Sequence, residues 1–392
     1  MADPIIRAPS VHLADDVQFG ENVVIEADEV SIGPGSRIGF SEGDDFRTPP
    51  GVRISVAAFS AGAGVRIGRA VRINGGRIRF DDGVRIQRGA TINVADRLEI
   101  GPFGTVGEGC EIAGRDVSIG QELWMLPQAK IGGGSAFERS SRLVAGHYLH
   151  LGVQTLVNTA RPVVIGHEVG LGTRTSIYTH GAYPSALQGF PVAFEGVEIG
   201  DFTWVPGATI NPGVRIGRNC VIGVNSLVTK NIPDGSLAAG SPAAVIREGH
   251  YPRPLSASRL LDFWTRFWNQ YATVLGSDAT AVAEPGSGLV ILTTDAATYA
   301  SVVGDPDGER GDAPLPDEGR LFVVGDAATG RGIGGAATMF DTTTRRVAGV
   351  ADGASDRLAN ELRRHGIRFY SRGRDGRYVD WDVVVPRFDS PS

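Results

Sequence analysis

Between Val197 and Arg247 aliphatic residues recur at every sixth position, at Ile210, Ile216, Ile222 and Val228. Two places before the last three stand Val214, Cys220 and Ser226, each small. An amphipathic helix repeats near 3.6 residues and a half-buried strand near 2, so neither explains a step of six. The flat face of a triangular parallel coil does, with one large inward side chain per face and a smaller one two places earlier. The same step runs through Leu13, Phe19 and Ile25, through Phe80, Ile86, Ile92 and Leu98, and through Ile100, Val106 and Ile112. It then continues through Ile119, Met125, Ile131, Phe137, Leu143 and Leu149, and through Ile165, Leu171 and Ile177. Glycine follows the ladder residue at Gly33, Gly68, Gly101, Gly120 and Gly217, where a tight corner is required. Three such faces close a coil of about 18 residues, and coils stack as parallel strands ~4.8 Å apart, so residues 11–250 predict about a dozen coils.

Interruptions of the ladder mark loops. Residues 41–51, SEGDDFRTPPG, have loop composition, and residues 179–196, THGAYPSALQGFPVAFEG, separate Ile177 from Ile199. Loops leaving a rigid solenoid are where a functional pocket is most readily built. Pro252 and Pro254 end the coils. Within residues 255–276, Leu260, Leu261, Trp264, Phe267, Trp268, Tyr271, Val274 and Leu275 follow helical spacing behind the capping candidates Ser256 and Ser258. This aromatic stripe predicts a packing helix that caps or flanks the solenoid. Residues 284–392 read as a small α+β domain, with strands over 289–293, 321–324, 338–340, 367–370 and 378–385 and a helix over 355–364 ended by Gly366. Its stretch GDAATGRGIGG, residues 325–335, lacks the Lys-Ser/Thr ending of a phosphate loop and reads as a surface loop. The fold class is therefore mainly β, a parallel β-helix followed by an amphipathic helix and a small α+β domain.

Composition narrows the picture further. With 42% hydrophobic and 21% charged residues the chain has globular composition, and a net charge of −6 argues against a general nucleic-acid binder. The opening MADPIIRAPS lacks a basic region followed by an apolar run, and no segment is apolar over a membrane-spanning length, so a cytoplasmic protein is expected. Cys110 and Cys220 occupy the small inward position two before Ile112 and Ile222, which predicts reduced core thiols and not a disulfide or metal ligands.

The segments IGDFTW, INPGVRIG, VIGVNSLVTKNIP and AAGSPAAVIR resemble the end of the coil domain in the hexapeptide-repeat acyltransferases, the left-handed β-helix family of galactoside, maltose and xenobiotic acetyltransferases. The resemblance covers roughly residues 160–250, extends by periodicity to residue 11, and excludes the C-terminal domain. It implies left-handed coils, an acetyl-CoA donor, a homotrimer with sites in the grooves between subunits, and a histidine general base. His180, in IYTHGAYPS, matches that base; Asn158, about one coil before Ile177, is placed to contact the acceptor or orient the histidine, and Tyr178 to contact the acceptor. Trp204 matches the tryptophan beside the pantetheine groove, Ser226, Thr229 and Lys230 the segment beside the adenosine end, and Ser241, Pro242, Ala243 and Arg247 the closing turn. Lys130 is the only other lysine in the chain, which singles out Lys230 as a partner for a CoA phosphate. Val205 to Ile210 is a step of five, which leaves the phase of Trp204 open.

The expected acceptor is a hydroxyl of a sugar or another hydroxylated small molecule, with no nucleic-acid partner, no membrane insertion and no metal. An amino sugar or nucleotide-linked amine would use the same base. Two other readings stay open: a zinc enzyme resembling γ-class carbonic anhydrases, with His147, His150, His167 and His180 as candidate ligands, and a non-catalytic scaffold.

Overall fold

The computed structural model describes residues 3–40, 51–284, 288–303, 320–325, 337–349 and 352–369. The chain divides between Pro252 and Arg253 into two compact units.

The first unit is a parallel β-helix. One coil shows its plan: Val163–Ile165 lies on the first face, Gly170–Leu171 on the second and Ser176–Ile177 on the third. The second face is a sheet of its own, in which eleven strands from Gln18–Phe19 to Leu237–Gly240 stack in parallel, one per coil. Ala243–Arg247 then folds back antiparallel and closes that sheet. The first and third faces share one larger sheet, because Val52–Ala61, Val71–Phe80, Thr91–Ile100 and Glu111–Ile119 each run from a third face into the next first face. The ladder residues form one continuous core along the helix axis.

The three edges differ, and the difference corrects the repeat. The first edge turns through a left-handed residue such as Glu122, Tyr148, Glu168 or Phe202, and the second through Gln128, Gln154, Arg174 or Asn225. Both turns carry a six-residue step in most coils; the exceptions, both at the second edge, are the five-residue step from Val205 to Ile210 and the passage from Ile38 to Ile54. The third edge has no such standard turn. Pairing of Ile67 with Ile86 sets a coil of nineteen residues, and pairing of Ile86 with Val106 one of twenty, not eighteen. The surplus falls at the third edge, where the register between neighbouring strands shifts between Val94 and Arg97. Ladder residues therefore come in threes, one triplet per coil: Phe80, Ile86 and Ile92, then Ile100, Val106 and Ile112, then Ile119, Met125 and Ile131.

The six-member run from Ile119 to Leu149 is thus not one ladder. Ile131 pairs with Val157, twenty-six residues on, and Phe137 lies 47% exposed in an excursion from the third edge. Leu143 and Leu149 are buried but stand two places before the true ladder residues Ala145 and Leu151, as Leu98 does before Ile100. Leu13 sits on the first N-terminal coils and stays 38% exposed.

The second unit carries a six-stranded sheet. Val282–Glu284, Leu289–Thr293 and Thr298–Val302 pair antiparallel, Leu321–Gly325 and Ala337–Asp341 add in parallel, and Arg346–Ala348 returns antiparallel. Helix α1, Ala257–Val274, starts at Ser256, whose hydroxyl accepts from Arg259 N–H, and α2 is Gly353–Arg364, capped by Asp352. The α1 stripe packs within this unit. Trp264, Phe267, Trp268 and Tyr271 are buried with Val290, Leu292, Tyr299, Phe322 and Phe340, and Trp268 Nε1–H donates to Ser301 Oγ at 3.2 Å. The buried face of α1 is taken up by the sheet. Ile367 and Phe369, expected in a strand, pack on this core without forming one. The expected strand at 378–385, the insertion at 41–50 and the stretch 326–335 lie outside the described residues. No described helix is long and apolar enough to cross a membrane.

Cys110 and Cys220 are free and buried, with Cys110 Sγ donating to Leu126 O at 3.0 Å and Cys220 Sγ to Pro233 O at 3.1 Å. Burial pushes the Cys110 thiol up to about 11 and raises that of Cys220. Both thiols should be silent toward Ellman's reagent in the native protein at pH 8 and titrate as two on unfolding; rapid native reaction would show that the inward ladder position is open.

Candidate active site

The candidate site forms where the third edge is least regular. Ile131, Val157 and Ile177 stack in register on three successive third faces. After Ile131 the chain turns through Gly132 and Gly133, at φ +114° and +120°, and leaves the edge as a loop before Arg142–Ala145. After Ile177 it leaves again: His180–Gly181 pairs antiparallel with Ala193–Phe194, and the chain rejoins the coil at Val197. Asn158 sits on the coil between the two excursions.

Asn158 is only 3% exposed, and its amide orientation is fixed by backbone chemistry. Ala160 N–H can only donate, and it does so to Asn158 Oδ1 at 3.1 Å; Asn158 Nδ2 donates to Gly134 O at 3.3 Å. The Thr179 hydroxyl accepts from Arg161 N–H at 3.1 Å and turns its own proton toward Asn158 Oδ1 at 2.6 Å. His180 Nδ1 lies 3.0 Å from that same oxygen. An oxygen can only accept, so Nδ1 carries a hydrogen, and in the neutral ring the lone pair is on Nε2. The half-buried His180 ring is therefore held in one orientation, with Nδ1 toward Asn158 and Nε2 turned away from it. Its Nε2 faces Gly134, where an added side chain would begin 3.3 Å away; a glycine there keeps the space in front of Nε2 open.

A second layer ties the two loops together. The His180 ring stacks on Phe194, with centroids 5.8 Å apart and planes 18° apart, and the Arg161 guanidinium sits 4.8 Å from the same phenyl centroid. Arg161 also reaches Glu138 Oε2 at 2.7 Å and Ser140 Oγ at 2.9 Å in the other loop. Hydrogen bonds from Arg161 and Ser135, together with the nearby His180, hold the Glu138 carboxyl below its usual range. Tyr178 is 40% exposed directly before this cluster. Sequence reasoning missed Gly134, Glu138, Arg161, Thr179 and Phe194. Their signal was the Gly132-Gly133-Gly134 run, which marks a second insertion at the same edge.

The remaining histidines are elsewhere. His147 and His167 lie at the first edge, where His147 Nδ1 accepts from Gln121 N–H at 3.1 Å and His167 Nδ1 accepts from His147 N–H at 3.0 Å. One coil further the same task falls to Asp201 Oδ1, which accepts from His167 N–H at 2.7 Å. These imidazoles are edge braces, and burial lowers the pKa of His167. His150 stands on the second face, edge-on to Trp124 at 5.4 Å. The four histidines considered as zinc ligands are thus not brought together within the chain, and no group of three or more potential ligands converges among the described residues.

The residues matched to the donor site divide between two sides of the prism. Thr229 and Lys230 are exposed on the third edge, following Val228, which pairs with Ile210 and through it with Ile177. Trp204 is on the second face, in register with Gly170 and Val221 and 43% exposed. Its phase is normal: the missing residue falls after it, at Pro206–Gly207, where Gly207 takes φ +104° and its N–H reaches Thr175 Oγ1 at 3.0 Å. Ser241 and Pro242 form the exposed turn between Leu237–Gly240 and Ala243–Arg247, which also closes the second face; Arg247 is exposed. Ser226 is different, 2% exposed and accepting from Gly240 N–H at 3.1 Å, as Thr175 braces the coil before it. The third edge and the second face are opposite one another in each coil.

No protein-family model matches the chain. It is 32% identical over 133 residues to the galactoside O-acetyltransferase of Escherichia coli, spanning 33% of this chain and 63% of that protein. It is 31% identical over 131 residues to the E. coli protein named "Putative colanic acid biosynthesis acetyltransferase WcaF", spanning 33% of this chain and 68% of that protein. A solved maltose O-acetyltransferase from Clostridium difficile is 26% identical at a TM-score of 0.27, covering 35% of this chain and 68% of that one. The chain thus spans about three fifths of the galactoside enzyme and about two thirds of the WcaF protein. A parallel β-helix with an edge-mounted histidine defines the class. The chain belongs to the hexapeptide-repeat acetyltransferases, the left-handed β-helix family.

Replacing Asn158 by leucine leaves the buried Ala160 N–H without its acceptor and the Thr179 hydroxyl with only the Asn158 main-chain O at 3.3 Å, which costs about 1–3 kcal/mol. The N158L protein should unfold at lower denaturant than the parent with an unchanged slope. An unchanged midpoint would mean that these groups find other partners.

Proposed function

We propose that the chain is a coenzyme-A-dependent acyltransferase that moves an acetyl group from acetyl-CoA to a hydroxyl of a sugar or another hydroxylated small molecule. The observation that carries this reading is the 3.0 Å contact between His180 Nδ1 and Asn158 Oδ1, with the oxygen already identified by Ala160 N–H. It leaves Nε2 as a base at an open edge. In the reaction, Nε2 takes the proton from the acceptor hydroxyl as its oxygen attacks the thioester carbonyl carbon. The tetrahedral adduct collapses, the C–S bond breaks, and the imidazolium returns the proton to the departing CoA sulfur. No acyl-enzyme forms.

Asn158 acts as the positioning residue for His180, and Tyr178 flanks the acceptor side. On the donor side, Trp204 lines the pantetheine, Thr229 and Lys230 lie toward the adenosine end, and Ser241, Pro242, Ala243 and Arg247 close the turn. Ser226 contributes by bracing the last coil and not by touching the cofactor, because its hydroxyl is committed to Gly240 N–H. His180 and Trp204 are on opposite sides of one prism, so a complete site needs two copies of the chain. A homotrimer with three equivalent grooves satisfies that requirement with closed symmetry.

Release of free thiol from acetyl-CoA, measured across a panel of sugar hydroxyl and amino-sugar acceptors, tests the reading. We expect turnover with a hydroxyl acceptor and a fall of about 10²–10⁴-fold in His180→Ala, the usual contribution of a general base. Equal turnover in the variant, or stoichiometric zinc with no thiol release, would overturn the assignment.

A further inference from the structure

On the first face, strand pairing stacks one outward residue of each coil over the next. From Arg79 the row runs through Glu99, Ser118, Val144 and Val164 to Glu198. Outward side chains of a solenoid face meet solvent, as Arg79 and Glu198 do. Ser118 and Val144 do not: Val144 is 3% exposed and Ser118 4%, while Glu99 and Val164 on either side are half-buried. The adjoining first edge repeats the profile. Its left-handed residues run Phe103, Glu122, Tyr148, Glu168 and Phe202; the middle three are buried, whereas Phe103 is half-buried and Phe202 is 42% exposed. An edge is convex, and a residue there touches its own coil and the two beside it, which leaves its outer side bare. Burial of three in a row shows that a cover lies over them.

The footprint has a definite width. Two rungs of the face and three of the edge span roughly 10–15 Å at ~4.8 Å per strand, which fits one extended segment with its side chains and is narrow for a packed layer. The burial arises within one chain, so a second copy is not its source. Composition then selects the occupant. Of the longer stretches outside the described residues, 41–50, 304–319 and 326–336 hold one large apolar residue each: Phe46, Leu315 and Ile333. Residues 370–392 differ. Val379, Trp381, Val383 and Val385 alternate with Tyr378, Asp380, Asp382 and Val384, the pattern of a strand with one apolar face. Arg372, Arg374 and Arg377 precede this run and Arg387 follows it, which complements the carboxylates of Glu122 and Glu168 in the covered patch.

We propose that residues 378–388 form an intramolecular strap across the first edge, with the apolar side of the segment on Val144 and Tyr148 and its flanking arginines toward Glu122 and Glu168. The strap reserves the first edge for the chain's own end and so keeps that edge out of contacts between copies. It uses neither His180 at the third edge nor the exposed Trp204, and it therefore stands whether or not the proposed acyl transfer does.

The test uses the full chain and a thiol probe, because Cys110 and Cys220 are buried and report unfolding by reacting. A Val144→Cys chain should react with N-ethylmaleimide about 100-fold or more slowly than a Glu198→Cys chain, whose probe stands in the same row two coils on. Adding Trp381→Asp and Val383→Asp should bring the Val144→Cys rate to within about tenfold of that reference while Cys110 and Cys220 stay silent. Fast reaction before the aspartates are added, or slow reaction afterwards with both native thiols silent, would overturn the strap. A second measurement decides the matter even where the aspartates unfold the protein. Val144→Cys combined in turn with Val379→Cys, Val383→Cys or Val385→Cys should form an intrachain disulfide under mild oxidation in at least one pairing. A disulfide in none of the three, or one with Phe46→Cys instead, would equally overturn it.

Discussion

The constraint on which the structure depends is the in-register stacking of one coil on the next. Each backbone N–H of a face bonds to the adjacent coil, so a residue can be added only where the chain is free to leave the stack. On the central coils the first and second edges lack that freedom, because each turns through one left-handed residue with fixed partners, as Glu122 N–H bonds Pro102 O and Gln154 N–H bonds Pro127 O. The third edge has no such turn and absorbs every surplus residue of the central coils. Two excursions therefore open at one edge on nearby coils, and the groups they carry converge on the coil between them. The site is a consequence of where a parallel stack tolerates length.

Chemically, the useful feature is that a backbone N–H settles the tautomer of a side chain two bonds removed. Ala160 N–H fixes the oxygen of Asn158, Asn158 fixes the proton of His180, and the free lone pair ends up at the open edge. The histidines at the first edge show the contrast. His147 and His167 use Nδ1 as an acceptor for main-chain N–H groups of the next coil, the job an aspartate does at position 201. The same residue type accepts through Nδ1 at one edge and donates through it at another, and the difference is set by which atom the backbone claims.

Much of this was legible in the sequence, and the misses have physical causes. The six-residue step gave the coil, the inward cysteines and the loop carrying His180, because inward positions in a stacked coil must be apolar or small. It failed where the chain is not hexameric: the seven- and eight-residue passages over the third edge made Leu98, Leu143 and Leu149 look like ladder members when they are the smaller inward partners. Phe137 kept the beat by accident while standing in solvent. The aromatic stripe of α1 was correctly periodic, but periodicity does not say which sheet receives it. Ser226 had the right neighbourhood and the wrong direction, since a ladder position two before Val228 must point inward. Arg161 and Phe194 had no periodic signal, because their partnership depends on two loops meeting.

The central claim is that catalysis joins the third edge of one chain to the second face of another. Mixed assemblies of His180→Ala and Trp204→Ala chains test it directly. Each variant alone should transfer acetyl groups poorly, whereas co-assembled chains should regain about a quarter of the parent rate, the share of grooves that receive both intact residues by random assortment. Mixed assemblies no more active than the two variants separately would contradict the account.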